Sequence, residues 1–478
     1  MRTSVTLQVV LFAAGAAALA QSPGTFTPAV NPAYPDIGGG IFLPDGRIFY
    51  RSQTYNPGSA IYDPASGTLS AVSGNLFPIP GAAIQLADGR ILITESDTVR
   101  AELYDPVAQT FTLTGNMTAI LSGAQIVLLS DGRVLFMGWY TQNPQAIPVD
   151  LTTEIYDPAS DTFSVAGTWP GEGAAGTATL LPDGTVLVTA YYSGDTAIYD
   201  PIRSTFTPLN FTLYSEAAIL LASGKVLFVS GIDDLSCGGG VPGGQLPLYD
   251  PISKTFRLTA GKTQAGQIQE SVTLLGDGTV LLAGGWICPG NSTAAHEFGP
   301  DNRAQIYDPV TDTFTATENM TNGRSGCCGP LLPDGTVLLA GGDSSAYPTS
   351  YESANAEIYH PANPIKAPAL FTNSTGQAVV WNSVTGALVS PGGAFVPAHA
   401  GDILSTYTNN LIEGGALPPQ VSVGGKAAKI LYFGDAPGYS GYFQVNFQVP
   451  AGVTAGSSVP VGLSYIGRSS NTVTIGVQ

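Results

Sequence analysis

Glu216 and Glu270 occupy equivalent places in successive copies of an internal pattern. Each stands seven residues before a turn pair, Ser223-Gly224 and Asp277-Gly278. Two carboxylates brought together in this way could hold a cation, or one could stay protonated and act as an acid. They could equally be two solvated groups. The other copies place Gly38, Gly81, Ala124, Gly176 and Cys327 there, and small residues suit a crowded rim. Arg324, His296, Asp343 and Trp286 fall near the same end of the pattern. Exposed aromatics such as Trp139, Tyr140, Tyr191, Tyr192 and Tyr347 could stack on sugar rings or serve as packing.

Other chemistries lack their residues. The chain has three histidines, His296, His360 and His399, and four cysteines, Cys237, Cys288, Cys327 and Cys328, none in a CxxC pair. A structural zinc site has little support, and no metal or cofactor is expected. There is no Gly-x-Ser-x-Gly elbow and no glycine-rich phosphate loop. The formal net charge of −18, with no Lys/Arg-rich run to offset it, repels a phosphate backbone or an anionic membrane surface.

The elements that position these residues follow from repeats. A turn and strand of the form (D/S)-G-x-(V/I)-(L/F) recurs at Gly46, Gly89, Gly132, Gly184, Gly224, Gly278 and Gly335. It alternates with (I/L)-Y-(D/H)-P, starting at Ile61, Leu103, Ile155, Ile198, Leu248, Ile306 and Ile358. A spacing of roughly 40–58 residues is that of propeller blades. Each copy reads as four strands, a to d. The Asp-Gly pair predicts a two-residue hairpin between a and b. Tyr-Asp-Pro ends strand c, and a Thr-Phe-Thr type segment forms strand d. The seventh copy, at Tyr359-His360-Pro361, lacks strand d, and Thr25-Phe26-Thr27 stands unused at the other end. The predicted fold is all-β: a seven-bladed propeller closed by an N-terminal strand in the last blade, plus a C-terminal sandwich.

The repeat resembles the kelch type, with Gly284-Gly285 and Gly341-Gly342 matching its double glycine over about residues 24–361. Beyond it, 362–377 reads as a linker and 378–478 as a small antiparallel sandwich domain. Its segments Ala400-Gly401-Asp402-Ile403-Leu404, Gly441-Tyr442-Phe443-Gln444-Val445-Asn446 and Ser470-Asn471-Thr472-Val473-Thr474-Ile475 are similar to C-terminal Ig-like domains of exported acidobacterial proteins of the Solibacter type. Residues 1–20 read as a signal peptide ending in Ala18-Leu19-Ala20, with 21–361 as the propeller. The expected location is secreted, extracellular, periplasmic or at the cell surface, without a transmembrane segment in the mature chain.

Alternating strand directions put a–b and c–d loops on one face and b–c and d–a loops on the other. The long insertions, 138–153, 231–246, 285–304 and 342–355, are all b–c loops. Variable loops on a rigid scaffold are where binding concentrates. All four cysteines fall on that face. They could pair as Cys237–Cys288 with Cys327–Cys328, pair crosswise, or stay free thiols.

A kelch propeller followed by an Ig-like domain also resembles the galactose oxidase architecture. That resemblance implies copper held by two His and two Tyr. Only His296 falls on the loop face, which excludes a two-His copper site on the propeller. The leading expectation is therefore an exported binding or scaffold protein rather than an enzyme, and a monomer. Its loop face would take a glycan or protein partner through Trp139, Tyr140, Tyr191, Trp286, His296, Arg324 and Asp343. The alternatives are a carbohydrate-active hydrolase or lyase using Glu216 and Glu270, and a purely structural surface module.

Overall fold

The computed structural model describes residues 24–29, 40–43, 46–51, 59–64, 66–74, 80–95, 98–139, 151–171, 175–190, 193–215, 217–229, 244–264, 267–268, 271–287, 299–324, 329–342, 356–374, 378–389 and 396–478. These residues form strands and turns, and none forms a helix long and apolar enough to cross a membrane. The first unit is a seven-bladed β-propeller. Blades 1 to 6 each carry a four-stranded antiparallel sheet in the order a-b-c-d. Blade 2 runs through Pro80–Gln85, Ile91–Glu95, Ala101–Asp105 and Thr110–Leu113.

The a–b turn departs from the expected two-residue form. In blade 2 the N–H of Leu86 donates to Arg90 O at 2.8 Å, which encloses three residues, and the Gly89 N–H returns to Leu86 O at 3.0 Å. Gly89 has φ +90°, whereas Asp88 keeps a negative φ and accepts the Arg90 N–H on Oδ1 at 3.0 Å. A type I turn followed by a left-handed glycine satisfies both residues, since only the second needs positive φ.

The c–d turn is as regular. The carboxylate of the Tyr-Asp-Pro aspartate caps the turn, as where Asp105 Oδ1 accepts the Val107 and Ala108 N–H at 2.8 and 3.0 Å. Just before strand d the chain turns left-handed, with φ of 54–56° at Gln109, Asp161, Ser204, Lys254 and Asp312. Blade 1 uses Gly67 there, at φ 67°.

Across the c–d ladders of blades 2 to 6 the two motif aromatics are partners; in blade 1 Tyr62 faces Leu69. Tyr104 meets Phe111 at 4.7 Å between ring centroids, and Tyr156–Phe163, Tyr199–Phe206, Tyr249–Phe256 and Tyr307–Phe314 each meet at 4.8 Å. In blade 7 the partner of Tyr359 is Phe26, at 5.1 Å. Strand Thr25–Pro28 pairs antiparallel with Glu357–His360, matching Thr25 to His360 and Phe26 to Tyr359. The ring is closed by the N-terminal strand as expected, and the outer edge of the last blade is covered. Gly24 fits beneath that closure, where a Cβ would lie 2.3 Å from the Tyr359 hydroxyl.

The second unit is a curled eight-stranded sheet, consistent with a sandwich. Its order runs Val380–Asn382, Ile403–Asn409, Tyr439–Gln448, Lys426–Ala436, Gln420–Val423, Gly456–Tyr465, Arg468–Ser469, with Val473–Val477 on Gly456–Tyr465. Val380, Leu404, Val445, Phe447, Val461 and Ile475 close its interior. The segment expected as a linker lies against this sheet. Leu370 is buried and bridges Thr408, and the Phe371 N–H donates to Tyr407 O at 3.1 Å.

This unit sits on the a–b turns of the propeller. The Ala416 N–H donates to Ala222 O, and the Ala367 N–H to Pro333 O, both at 2.6 Å. Ile412 packs at Gly278, Ala427 at Gly132, and Gly425 at Asp88. Arg468 is fully buried in this junction and donates from Nη1 to Ile365 O. Burial lowers its pKa to about 10.

Candidate functional site

With the a–b face taken, the opposite end of the ring is the loop face, where the sequence led the candidates to be expected. Its inner rim is built from the tops of the a strands. In blades 2, 3 and 4 the a–b ladder slips there, between Pro80 and Ala83, Ser122 and Gln125, and Ala175 and Thr177. These irregularities fall on the small-residue column of Gly81, Ala124 and Gly176. A bulge leaves backbone groups without ladder partners. In blades 2 and 4 a strand-b threonine fills the gap. Thr94 Oγ1 accepts the Ala82 N–H at 3.0 Å, and Thr189 Oγ1 accepts the Thr177 N–H at 3.0 Å.

Glu216 and Glu270 lie outside the described residues. The strands that follow them are described: Ala217–Leu220 and Ser271–Leu274 are the innermost strands of blades 5 and 6 and pack side by side. Ser215, just before Glu216, is buried and donates to Ala217 O at 2.8 Å and Val229 O at 3.1 Å. Tyr140, Tyr191, Tyr192, His296, Asp343, Tyr347 and the four cysteines also lie outside the described residues, as does the expected signal peptide.

The two tryptophans are placed by their backbones. Trp139 ends strand b of blade 3, paired with Ser122 and Leu151. Trp286 lies in a small sheet that extends blade 6 beyond its four-stranded ladder. It pairs there with Ile268 on one side and Pro300 on the other.

Arg324 lies beneath the loop face rather than on it. Its side chain is fully buried, with Nη2 at 3.1 Å from Glu357 Oε1 and Nη1 donating to Leu339 O at 3.1 Å and Gly341 O at 3.3 Å. A cation so deep must be paired, and Glu357 on strand c of blade 7 supplies the charge. Glu357 also accepts the Thr321 and Asn322 N–H at 2.8 and 3.2 Å. Glu154 has the same place in blade 3, accepting from Thr118 and Ala119 at 2.8 and 2.7 Å. In blade 6 Gln305 accepts the Gln264 N–H at 3.1 Å. In blades 3, 6 and 7 a polar residue two positions before the motif tyrosine thus caps the preceding d–a loop. Sequence reasoning missed this role, although Glu-x-Tyr at Glu102, Glu154 and Glu357 was its visible signal.

Other loop-face charges are also committed. Asp301 is fully buried and receives Arg303 Nε at 2.8 Å. Glu95 is buried and accepts Thr98 Oγ1 at 2.8 Å and Arg100 Nε at 2.6 Å.

The two described histidines stand apart from the loop face and from each other. His360 Nε2 lies 2.8 Å from Thr27 Oγ1 in the closing strand pair. His399 is in the C-terminal unit, 3.8 Å from Asp402 and hydrogen-bonded to Gln478 at 3.0 Å. Among the described residues, no three His, Cys, Asp or Glu side chains form a group able to hold a metal ion.

No protein-family model matches the chain, and no curated protein does. Its likeness is to solved structures. One is a fungal alcohol oxidase of the AA5 family, in complex with copper. It is 16% identical, with a TM-score of 0.57, over 96% of this chain and 99% of that one. Another is a streptogramin B lyase, 12% identical with a TM-score of 0.49, over 71% of this chain and 98% of that one. The first likeness is one of fold: the propeller and the C-terminal unit together match a galactose oxidase-like chain over nearly its whole length.

Proposed function

We propose that this chain is an exported kelch-type propeller that binds a glycan or protein partner through its b–c and d–a loop face, with an Ig-like C-terminal domain on the opposite side. The observation that carries this reading is the position of that domain. Hydrogen bonds from Ala416 to Ala222 and from Ala367 to Pro333 seat it on the a–b turns, which leaves the loop face as the open end of the ring. The described strand ends that bracket the insertions at 138–153, 285–304 and 342–355, such as Trp139 with Leu151 and Ile287 with Gly299, are at that open end. Trp139 and Trp286 stand where the strands run out into two of those insertions, and aromatic rings at such positions are efficient contact groups.

The copper chemistry of the AA5 neighbour does not carry over. Two imidazoles on one site would have to include His360 or His399. His360 is engaged with the closing strand and His399 is in the C-terminal unit. The donor set therefore does not fit that metal. The hydrolase or lyase reading rests on Glu216 and Glu270, because the strands that follow them are neighbours in blades 5 and 6. Its check is turnover of a glycan ligand, lost in Glu216→Gln and in Glu270→Gln with binding retained.

The binding reading is tested by a glycan array and a pull-down with the full chain, alongside Trp139→Ala and Trp286→Ala. Ligands retained by the parent and lost by both variants are the expected result. An array and pull-down without ligand would count against the proposal.

A further inference from the structure

The outer face of the C-terminal sheet is built differently from the rest of the surface. Along Ile403–Asn409 and Tyr439–Gln448, Leu404, Thr406, Val445 and Phe447 turn inward and are buried. The residues between them, Ser405, Tyr407, Gln444 and Asn446, turn to the opposite face, because side chains alternate along a strand; there Ser405 is buried and the other three are partly exposed. The pairing Trp381 to Ser405, Ser405 to Asn446 and Asn446 to Tyr432 sets four residues in one row across four strands. That row has an aromatic ring at each end and the Asn446 amide between them, held from below by the buried Ser405 hydroxyl. At ~4.8 Å per strand its ends are about 14 Å apart.

The next row adds Tyr407 and Gln444, paired with each other, and opposite Gln444 the third strand carries Gly434, over which the Tyr432 ring leans, its hydroxyl 3.0 Å from where a Cβ would stand. Trp381 and Tyr407 meet at 5.2 Å between centroids, and Tyr442 meets Phe371 at 5.2 Å. The polar groups are fixed rather than free to turn. Asn446 Oδ1 accepts from Ser405 Oγ at 2.8 Å and from Gln444 Nε2 at 2.9 Å. Ser405 Oγ in turn lies 2.6 Å from Ser383 Oγ. With its oxygen doubly engaged, Asn446 has its N–H groups to offer a ligand, and Gln444, which donates through Nε2, has its carbonyl oxygen.

Charge selects the occupant. The chain carries a net −18, yet these two rows contain no ionised side chain, and Lys429 at the end of the row through Gln448 is the one cation beside them. A nucleic acid or a strongly charged partner has no counter-charge here. Rings to stack on and preset amides match a ligand with apolar ring faces and many hydroxyls. The geometry points to a second binding surface on this sheet face, for an extended neutral polysaccharide lying across Trp381, Asn446 and Tyr432. The surface is distinct from the propeller's loop face and does not depend on it.

The test is affinity electrophoresis of the full chain in gels containing hydroxyethylcellulose, arabinoxylan or, as an anionic comparison, alginate. Retardation is expected in a neutral gel and not in alginate. Tyr432→Ala, at an exposed position, and Asn446→Ala are expected to weaken it about tenfold with unchanged circular dichroism, and Trp381→Ala at least as much. Val107→Ala, at an exposed c–d turn outside both surfaces, is expected to leave it unchanged. Loss of retardation in Trp139→Ala or Trp286→Ala, with Tyr432→Ala and Asn446→Ala retarded like the parent, would assign it to the loop face instead. Absence of retardation in both neutral gels, or equal retardation of the Tyr432 and Asn446 variants and the parent, overturns the assignment.

Discussion

Arg324 and Glu357 form an ion pair 3.1 Å long that is closed off from solvent, joining the loop after blade 6 to strand c of blade 7. Removing one partner of such a pair leaves an uncompensated charge. Glu357→Ala is expected to cost about 3–5 kcal/mol in urea unfolding. Glu154→Ala removes the same two-amide cap without orphaning a buried guanidinium, and is expected to cost about 1–3 kcal/mol. Combining Glu357→Ala with Arg324→Met should recover part of the loss. Equal costs for the two single variants would show that the pair has no special weight.

Ring closure has its own signature. Phe26 reaches Tyr359 across 333 residues of chain, and nothing else among the described residues completes blade 7. Phe26→Ala is expected to lower stability by about 2–3 kcal/mol, the low end for a large-to-small change because the ring is only half-buried. Gly24→Val should be at least as harmful, since its Cβ would overlap the Tyr359 hydroxyl. Thermal unfolding unchanged by both substitutions would contradict the closure.

Alkaline pH should loosen the blades. Burial, and then a hydrogen bond to a carboxylate, raises the pKa of Tyr156 and Tyr307 well above their ordinary 10.0. Their hydroxyls donate to Asp161 Oδ1 at 2.7 Å and Asp312 Oδ1 at 2.8 Å. An acid whose folded pKa is raised binds its proton more tightly when folded. The stability it contributes is full below about pH 10 and falls as pH rises beyond that. Stability followed from pH 8 to pH 11 should decline, and Tyr156→Phe with Tyr307→Phe should flatten the decline while lowering stability at pH 8.

The left-handed residue of the c–d turn offers a gain. Lys254 sits at φ 54° where blade 1 has Gly67. Relief of the Cβ strain, about 1–2 kcal/mol, exceeds the added flexibility of glycine in the unfolded chain, about 0.4–1 kcal/mol. Lys254→Gly is expected to raise stability by up to about 1 kcal/mol, measured as a higher urea midpoint at constant slope.

Much of this architecture was legible because it is repeated. Two motifs alternating seven times gave the blades, and one unmatched Thr-Phe-Thr located the closing strand. The Tyr–Phe pairs follow from those motifs because strands c and d are joined by a turn of constant length. What stayed hidden has no side-chain signature. Gln109, Asp161, Ser204, Lys254 and Asp312 share a backbone angle but no chemistry, so only the turn geometry reveals them. The seating of the C-terminal unit uses backbone groups of Ala222, Pro333, Ala367 and Ala416, which no pattern of residue types announces. Arg324 was misleading for the opposite reason. A guanidinium in a loop-face segment looks like a ligand contact until its buried partner is seen.

The proposed function stands on binding at the loop face. The direct measurement is a glycan array and pull-down with the parent chain, the pair Trp139→Ala and Trp286→Ala, and Tyr432→Ala on the C-terminal sheet. At least one ligand is expected to survive Tyr432→Ala and to be lost in both loop-face variants. Absence of any such ligand, or ligands that the loop-face variants retain in full, would contradict it.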